Sequence, residues 1–388
     1  MTHIKRLCIF NMMIFTLSMC IFCFFAEATK PKVMDYFSID YQEARKKFLE
    51  AAQAVGASIE SFQNPHSCPQ GKALYIDVAA IGLKSAKDIL VLGSGTHGVE
   101  GFAGSGIQTG LLREGISSNL KPNVRIIMIH AINPYGFAHL RRANEDNVDL
   151  NRNFIDHSKP YPKNDGYAEL AVVISPKDIS VWKNTKLQLS LLWYRLRYGK
   201  VALIQALSGD QFSHPQGIFF GGHHETWSKN ILKEIVRRYH SNARKVIFID
   251  FHTGLGPHGN AEVIMNVGAD TPAYKHAVQW WGKRVKTTVD GESLSVHLVA
   301  SLKLAVPKMI PQAEVTAVSL EFGTYPAKEV FLALRAENWL YHHGGSDHQD
   351  AKKIKAELVR VFYPNTEEWK LQVWKQGKEM VEQALAHL

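Results

Sequence analysis

Two histidines and one glutamate follow separate predicted strands, and their residue types suit metal binding. His97 and Glu100 come just after an apolar strand at 88–93, three residues apart where the chain turns into a helix. Side chains at that spacing are neighbours on a helical turn and can reach one ion. His252 follows a second buried strand at 246–251 and adds a donor from far along the chain. These three ligands predict a catalytic zinc site with a fourth position left for water.

A further carboxylate, Glu321, ends a third predicted strand at 316–322, and Asn133 follows another strand. In open α/β sheets the ligand crevice lies at the carboxyl ends of the strands. The sequence therefore predicts that Glu321 and Asn133 lie near His97 and His252.

The glycines of segment 93–98 also satisfy the pattern of a dinucleotide-binding turn after a strand. That function needs an acidic residue at the end of the next strand to bind a ribose. The next strand, at 124–131, is followed by Ile132, Asn133 and Pro134, without a carboxylate. A nucleotide site is therefore not expected.

Two other sets of residues could carry chemistry. His223, His224 and Glu225 could hold a second metal, but adjacent side chains on a strand point to opposite faces, and we do not expect one. Cys68 is the only cysteine outside the first 28 residues, so it forms no internal disulfide. Its turn-rich surroundings do not favour a thiol nucleophile.

The order of predicted elements indicates an α/β fold. Apolar strands alternate with helical stretches, which favours a mainly parallel or mixed sheet. The region at about 155–224 has a helical middle and a glycine- and histidine-rich end, and we interpret it as an insertion on the sheet. The predicted strands are 73–81, 88–93, 124–131, 246–251, 262–267 and 316–322, and the predicted helical regions include 40–56, 93–113 and 327–388.

The amino terminus has the features of a secretory signal. Lys5 and Arg6 precede an almost uncharged run at 7–25, which a small-x-small cleavage site follows. We expect residues 1–28 to be a signal peptide and 29–388 to be the catalytic domain of an exported protein, periplasmic or secreted. The alternative is an uncleaved membrane anchor, because the apolar run approaches the length of a membrane span.

The net charge and the composition indicate which classes of substrate and partner to expect. The net charge of +9 fits an anionic substrate or surface, and no basic tract with interleaved aromatic residues is present. We therefore expect a small-molecule or peptide substrate with a free carboxylate, no nucleic acid, and no stable membrane association after leader cleavage.

Several blocks resemble one protein family. The resemblance is to the DUF2817 branch of the M14 zinc carboxypeptidase-like superfamily, and it extends over residues 33–345. It implies a three-layer α/β fold with a central mixed, mainly parallel sheet flanked by helices. The blocks that carry it are 93–106 (GSGTHGVEGFAGSG), 148–154 (VDLNRNF), 250–259 (DFHTGLGPHG) and 319–325 (SLEFGTY).

The resemblance also implies roles for individual residues. His97, Glu100 and His252 would bind one zinc ion per chain. Glu321 would be the general base, which takes a proton from water and returns it to the leaving amine.

Polar residues between these blocks would recognise the substrate. By resemblance, Asn151 and Arg152 would bind a substrate carboxylate, for which a planar guanidinium is suited. Arg142, rather than Arg141, would stabilise the oxyanion. Asp250 shares a strand face with His252, and it is either a hydrogen-bond partner of that ligand or a buried acid with another partner.

The function that the resemblance implies is that of an exported zinc-dependent metallohydrolase. It would cleave an amide bond next to a carboxylate, as a carboxypeptidase-like enzyme acting on peptides or cell-wall peptides. The alternatives are an N-acyl amino acid deacylase and a non-catalytic zinc- or ligand-binding protein. The insertion at 155–224 lengthens the interval between Glu100 and His252 and leaves the substrate class open. Tyr325 is a candidate for the tyrosine that many carboxypeptidases use.

Overall fold

The computed structural model describes residues 32–179 and 181–388, and residues 33–388 form one compact unit. The predicted signal peptide and its cleavage site lie outside the described residues. Among the helices that are described, none combines the length and the hydropathy needed to span a bilayer.

The strands form one mixed sheet of eight strands in the order β1-β2-β4-β3-β5-β8-β6-β7. The four central strands, β4, β3, β5 and β8, are parallel, and antiparallel pairs join them to β2 and β6. This arrangement confirms the predicted α/β fold with a mixed, mainly parallel sheet. The strands are β1 (Ser58–Ser67), β2 (Ala73–Ile81), β3 (Asp88–Ser94), β4 (Val124–His130), β5 (Lys245–Thr253), β6 (Ala261–Met265), β7 (Val285–Thr287) and β8 (Glu314–Phe322).

Helices cover both faces of the sheet. The bounds of the helices are α1 (Tyr41–Ala54), α2 (Gly101–Arg113), α3 (Pro134–Ala138), α4 (Asp165–Ile174), α5 (Val181–Ser208), α6 (Trp227–His240), α7 (Pro272–Trp281), α8 (Leu302–Met309), α9 (Ala327–Trp339), α10 (Ala351–Phe362) and α11 (Glu367–Ala386). The core on one face includes side chains of α1, α2, α7 and α11, and the core on the other face includes side chains of α6 and α8.

The central strands are buried on both faces, which explains their nearly continuous apolar sequence. In β3, Leu90 and Leu92 enter one core, whereas Ile89 and Val91 enter the other. This alternation follows from the two-residue period of a strand. The sheet therefore forms a rigid base, and its carboxyl-terminal edge carries the polar residues.

Two strands were absent from the sequence prediction. β1 is an edge strand with mostly exposed side chains and a proline at position 65, so it lacks an apolar period. β7 has only three residues. The predicted insertion contains α4 and α5, and α5 bends at Gly199, where φ is 89°.

Candidate metal centre

The loop after β3 brings His97 and Glu100 to the edge of the sheet. Gly95 has a φ of 70°, which a residue with a side chain rarely adopts. Gly98 packs so closely on Gly136 that a Cβ atom would lie 2.1 Å from its carbonyl carbon. The two glycines therefore permit a sharp turn pressed against α3, and residues 98–100 continue as a 3₁₀ turn into α2.

The three predicted ligands converge. Nδ1 of His97 lies 3.0 Å from Oε1 of Glu100 and 3.2 Å from Nδ1 of His252. Nδ1 of His252 lies 3.1 Å from Oε2 of Glu100. All three donor atoms lie within 4.8 Å of one another and are buried. The predicted cluster of His97, Glu100 and His252 is thus present as one group.

The outer nitrogen of each histidine is bound by a carboxylate. Nε2 of His97 donates to Asp149 at 2.9 Å, and Nε2 of His252 donates to Asp250 at 2.7 Å. These bonds keep a proton on each Nε2, so the two Nδ1 atoms, 3.2 Å apart, are the ring nitrogens that a cation can displace a proton from and bind. Two imidazole nitrogens and a carboxylate oxygen, each ring oriented by an acid, fit a zinc ion.

The electrostatics of the cluster also favour a cation. Burial opposes protonation of His252, but the carboxylates of Asp250 and Glu100 outweigh it and raise the pKa of His252 to about 10. Burial would raise the pKa of Glu100, yet His97 and His252 hold it below its usual range. The cluster therefore holds the carboxylate of Glu100 and a proton on His252. A divalent cation can bind there and release that proton.

Asp250 is therefore a partner of a candidate ligand, one of the two roles that the sequence left open. We expect Asp250→Asn to weaken zinc affinity by about 10- to 100-fold, because the neutral amide orients and polarises His252 less well. Competition with a chelator measures the affinity. Asp88→Asn is the control, because Asp88 is a buried acid that pairs with Arg244 away from the cluster. Unchanged affinity in the Asp250 variant would contradict this role.

Glu321 lies beside the cluster. It is the direct neighbour of His252 across the parallel pair β5 and β8, and its Oε1 accepts a hydrogen bond from the Leu255 amide at 3.0 Å. Burial, and then repulsion by Glu100, raise the pKa of Glu321 to about 7. A carboxylate with a pKa near neutrality can both accept and donate a proton.

Arg142 and Arg152 reach the same region, and both form ion pairs with Asp149. Arg142 Nη1 pairs with Oδ2 of Asp149, and Arg152 Nη1 lies 2.8 Å from that oxygen. Burial would raise the pKa of Asp149, but Arg142 and Arg152 keep it well below the ordinary value. Asp149 thus connects His97 to both arginines. Its place in the 148–154 block was the only sequence signal for it.

Phe219 is a second residue that the sequence did not identify. Its ring lies beside both guanidinium groups, 5.1 Å from Arg142 and 5.0 Å from Arg152. Its φ is 61°, an unusual value for a bulky residue and of the kind that clusters at functional sites. Phe219 thus contacts both arginines, and all three residues line one cavity.

The remaining polar residues differ in whether they line the cavity. Asn151 lines the cavity, and its Oδ1 accepts a hydrogen bond from the Leu302 amide at 3.0 Å. Asn133 instead caps α3 through the Gly136 amide. Arg141 is buried against Glu337 at 2.8 Å, away from the cluster, whereas Arg142 faces the cavity.

Two further candidates lie elsewhere. Tyr325 stacks on Arg360 at 4.1 Å and is not part of the cavity wall. His223 interacts with the Phe212 carbonyl, and Glu225 pairs with Lys229. In the described part of the chain, the only group of metal-binding side chains is the one that contains His97.

A cavity of about 630 Å³ opens onto the cluster. Glu100, Glu321, Arg142 and Arg152 form its polar end. Apolar side chains from α5 and α9 form much of the remaining wall, including Leu191, Ile204, Leu207, Val330, Phe331 and Leu334. The insertion thus supplies one side of the cavity through α5.

The chain is distantly similar to solved structures of carboxypeptidases and of a desuccinylase. A crystal structure of carboxypeptidase A from Helicoverpa armigera is 13% identical, with a TM-score of 0.49, over 91% of this chain and 75% of that chain. A metallo-carboxypeptidase from Burkholderia cenocepacia is 12% identical, with a TM-score of 0.41, over 88% and 70%. Succinylglutamate desuccinylase from Vibrio parahaemolyticus is 13% identical, with a TM-score of 0.36, over 83% and 82%. Comparison with curated protein sequences gives no match.

The sequence family described as "Protein of unknown function (DUF2817)" matches residues 37–376, which is most of the chain. The protein belongs to the DUF2817 family, as the sequence blocks predicted.

Proposed function

We propose that this protein is a zinc-dependent hydrolase that cleaves an amide bond next to a carboxylate. The observation that carries the proposal is the convergence of His97, Glu100 and His252 in one cavity beside a second acid, Glu321, which has no ion-pair partner among the described residues. A purely structural zinc site would be closed by a fourth protein ligand and would not need a neighbouring base.

Zinc bound by the three ligands would supply Lewis acidity, which acidifies water and polarises a carbonyl group. Glu321 would accept the proton of the attacking water and deliver it to the amide nitrogen as the bond breaks. Its pKa of about 7 suits both transfers at neutral pH. The Leu255 amide holds one oxygen of Glu321 and so orients the other toward the reacting atoms.

The two arginines would bind the oxygens of the substrate. Arg142 is the candidate for the charge that develops on the carbonyl oxygen, and Arg152 and Asn151 are the candidates for the carboxylate. Arg152 donates to the Ser208 carbonyl at 2.8 Å, and its Nε has no hydrogen-bond acceptor among the described residues. Asp149 orients the arginines in the absence of substrate, and the buried charge-assisted contacts would favour an anionic ligand.

A carboxypeptidase-like enzyme acting on peptides or cell-wall peptides is the form of this activity that we favour. An N-acyl amino acid deacylase would use the same residues on a smaller substrate. Metal analysis followed by a screen of peptides and N-acyl amino acids tests the proposal and separates the two. Stoichiometric zinc without turnover of either class would instead indicate a non-catalytic binding protein.

The role of Arg152 has a specific test. Arg152→Lys keeps the charge but loses the planar fork. We expect catalytic efficiency on a substrate with a free carboxylate to fall by roughly tenfold to a few hundredfold, which corresponds to about 1.5–3 kcal/mol for a charge-assisted hydrogen bond. The wild type should already process the matching amidated substrate poorly. The Arg152→Lys substitution should change the catalytic efficiency on that substrate only a little. Equal losses on both substrates would mean that Arg152 maintains the site without binding the carboxylate.

A further inference from the structure

Lys303 is a buried cation in the cavity wall that has no role in the chemistry above. It is the second residue of α8, and its side chain lines the cavity with 6% of the residue exposed. Across residues 32–179 and 181–388, no acceptor forms a hydrogen bond with its Nζ and no carboxylate lies within ion-pair distance. The ammonium group therefore faces the cavity without a compensating anion.

The position of Lys303 is costly for the free protein. Burial lowers the pKa of Lys303 to about 8, although the more distant carboxylates of Glu321 and Asp250 oppose this change. A buried charge without a partner destabilises a fold, whereas an apolar side chain of similar length would pack there without that cost. Groups in such positions are concentrated at ligand-binding sites.

The two guanidinium groups at the polar end of the cavity already have an anionic partner. Arg142 and Arg152 share the carboxylate of Asp149, so each has an anion in the free protein. Lys303 is close to this pair in the fold, since the Leu302 amide donates to Oδ1 of Asn151. The wall that carries the predicted carboxylate site therefore also carries a separate, uncompensated positive charge.

We propose that Lys303 binds a second anionic group of the substrate, the side-chain carboxylate of an acidic residue. The substrate class would then be a peptide that ends in an acidic residue, or an N-acyl derivative of an acidic amino acid. This inference rests on the proposed function, in which Arg152 and Asn151 bind the carboxylate next to the scissile amide. Lys303 binds the side-chain carboxylate of the substrate and takes no part in proton transfer.

The test uses two ligands that differ only at the side chain and that contain no scissile amide. Nα-ethyl-L-glutamate and Nα-ethyl-L-glutamine are titrated calorimetrically into the zinc-loaded wild-type protein. We expect the glutamate ligand to bind about 10- to 100-fold more tightly, the size of a charge-assisted contact. Lys303→Met should remove this preference and leave binding of the glutamine ligand unchanged.

Lys328→Met is the matched control, because Lys328 also lines the cavity but is exposed. This variant should keep the preference for glutamate. Equal binding of the two ligands by the wild-type protein would overturn the proposal, whether or not the Lys303 variant folds. A loss of both ligands in Lys303→Met would also overturn it, since Lys303 would then bind the carboxylate next to the amide.

The experiment distinguishes a failure of the Lys303 binding proposal from a failure of the proposed hydrolase activity. Neither ligand has an amide next to the α-carboxylate, so a preference for glutamate that depends on Lys303 stands even if no amide substrate is turned over. Turnover of amide substrates without that preference would retain the proposed function and remove the acidic substrate class.

Discussion

Alanine in place of His97 or His252 is expected to abolish stoichiometric zinc binding and, with it, amide hydrolysis. Each substitution removes one of only three protein ligands, and the remaining pair cannot hold the ion against water. The fold should survive, because the sheet and its two apolar cores do not depend on the cluster. Elemental analysis of the purified variants measures the metal, and circular dichroism measures the fold.

His223→Ala is the control for this experiment. His223 was also a candidate metal ligand, but its ring interacts with the Phe212 carbonyl and it is not part of the cluster. This variant should retain about one zinc per chain. Full zinc content in both the His97 and the His252 variants would show that the ion binds elsewhere.

Glu321→Gln is expected to reduce turnover by a factor on the order of 10² or more while zinc stays bound. Glutamine keeps the shape of the side chain and can still accept the Leu255 hydrogen bond, but it cannot take up a proton. The substrate affinity should change much less than the rate of the chemical step. Single-turnover kinetics on a substrate from the screen separates the two effects.

The matched control is Glu262→Gln. Glu262 is the direct partner of Glu321 across the antiparallel pair β6 and β8, but it accepts hydrogen bonds from Ser293 and does not line the cavity. The activity of the Glu262→Gln variant should stay near that of the wild type. Near-normal turnover in the Glu321 variant would assign the proton transfer to another group, with Asp250 as the first candidate.

The central strands and the three candidate ligands were predictable because their signals are local. Strands buried on both faces must be largely apolar, and β3, β4 and β5 are, apart from a few polar residues such as Arg125 and Asp250. His97 and Glu100 are three residues apart at a strand end, a spacing that can be read without knowing the fold. The edge strand β1 has no such signal, because solvent covers most of it.

The surroundings of the ligands could not be predicted in the same way. Asp149, Phe219 and Lys303 lie in a short turn, an irregular segment and a helix start, where no apolar period marks them. Their importance comes from contacts between distant segments, such as those of the Phe219 ring with Arg142 and Arg152. Such contacts depend on the closure of the insertion over the sheet, which is a property of the tertiary structure.

The placement of the ligands on neighbouring central strands also affects how the protein folds. His97 and His252 are 155 positions apart, yet β3 and β5 are adjacent in the sheet. The loop between them must close before all three ligands can meet, and such non-local pairing slows folding. An unfolded chain therefore cannot offer the complete ligand set.

A metal that binds only the native state stabilises it by mass action, by about 4 kcal/mol when the concentration of free metal is a thousand times the dissociation constant. The free energy of unfolding would thus rise with the metal supply of the compartment, although the fold itself does not require the metal.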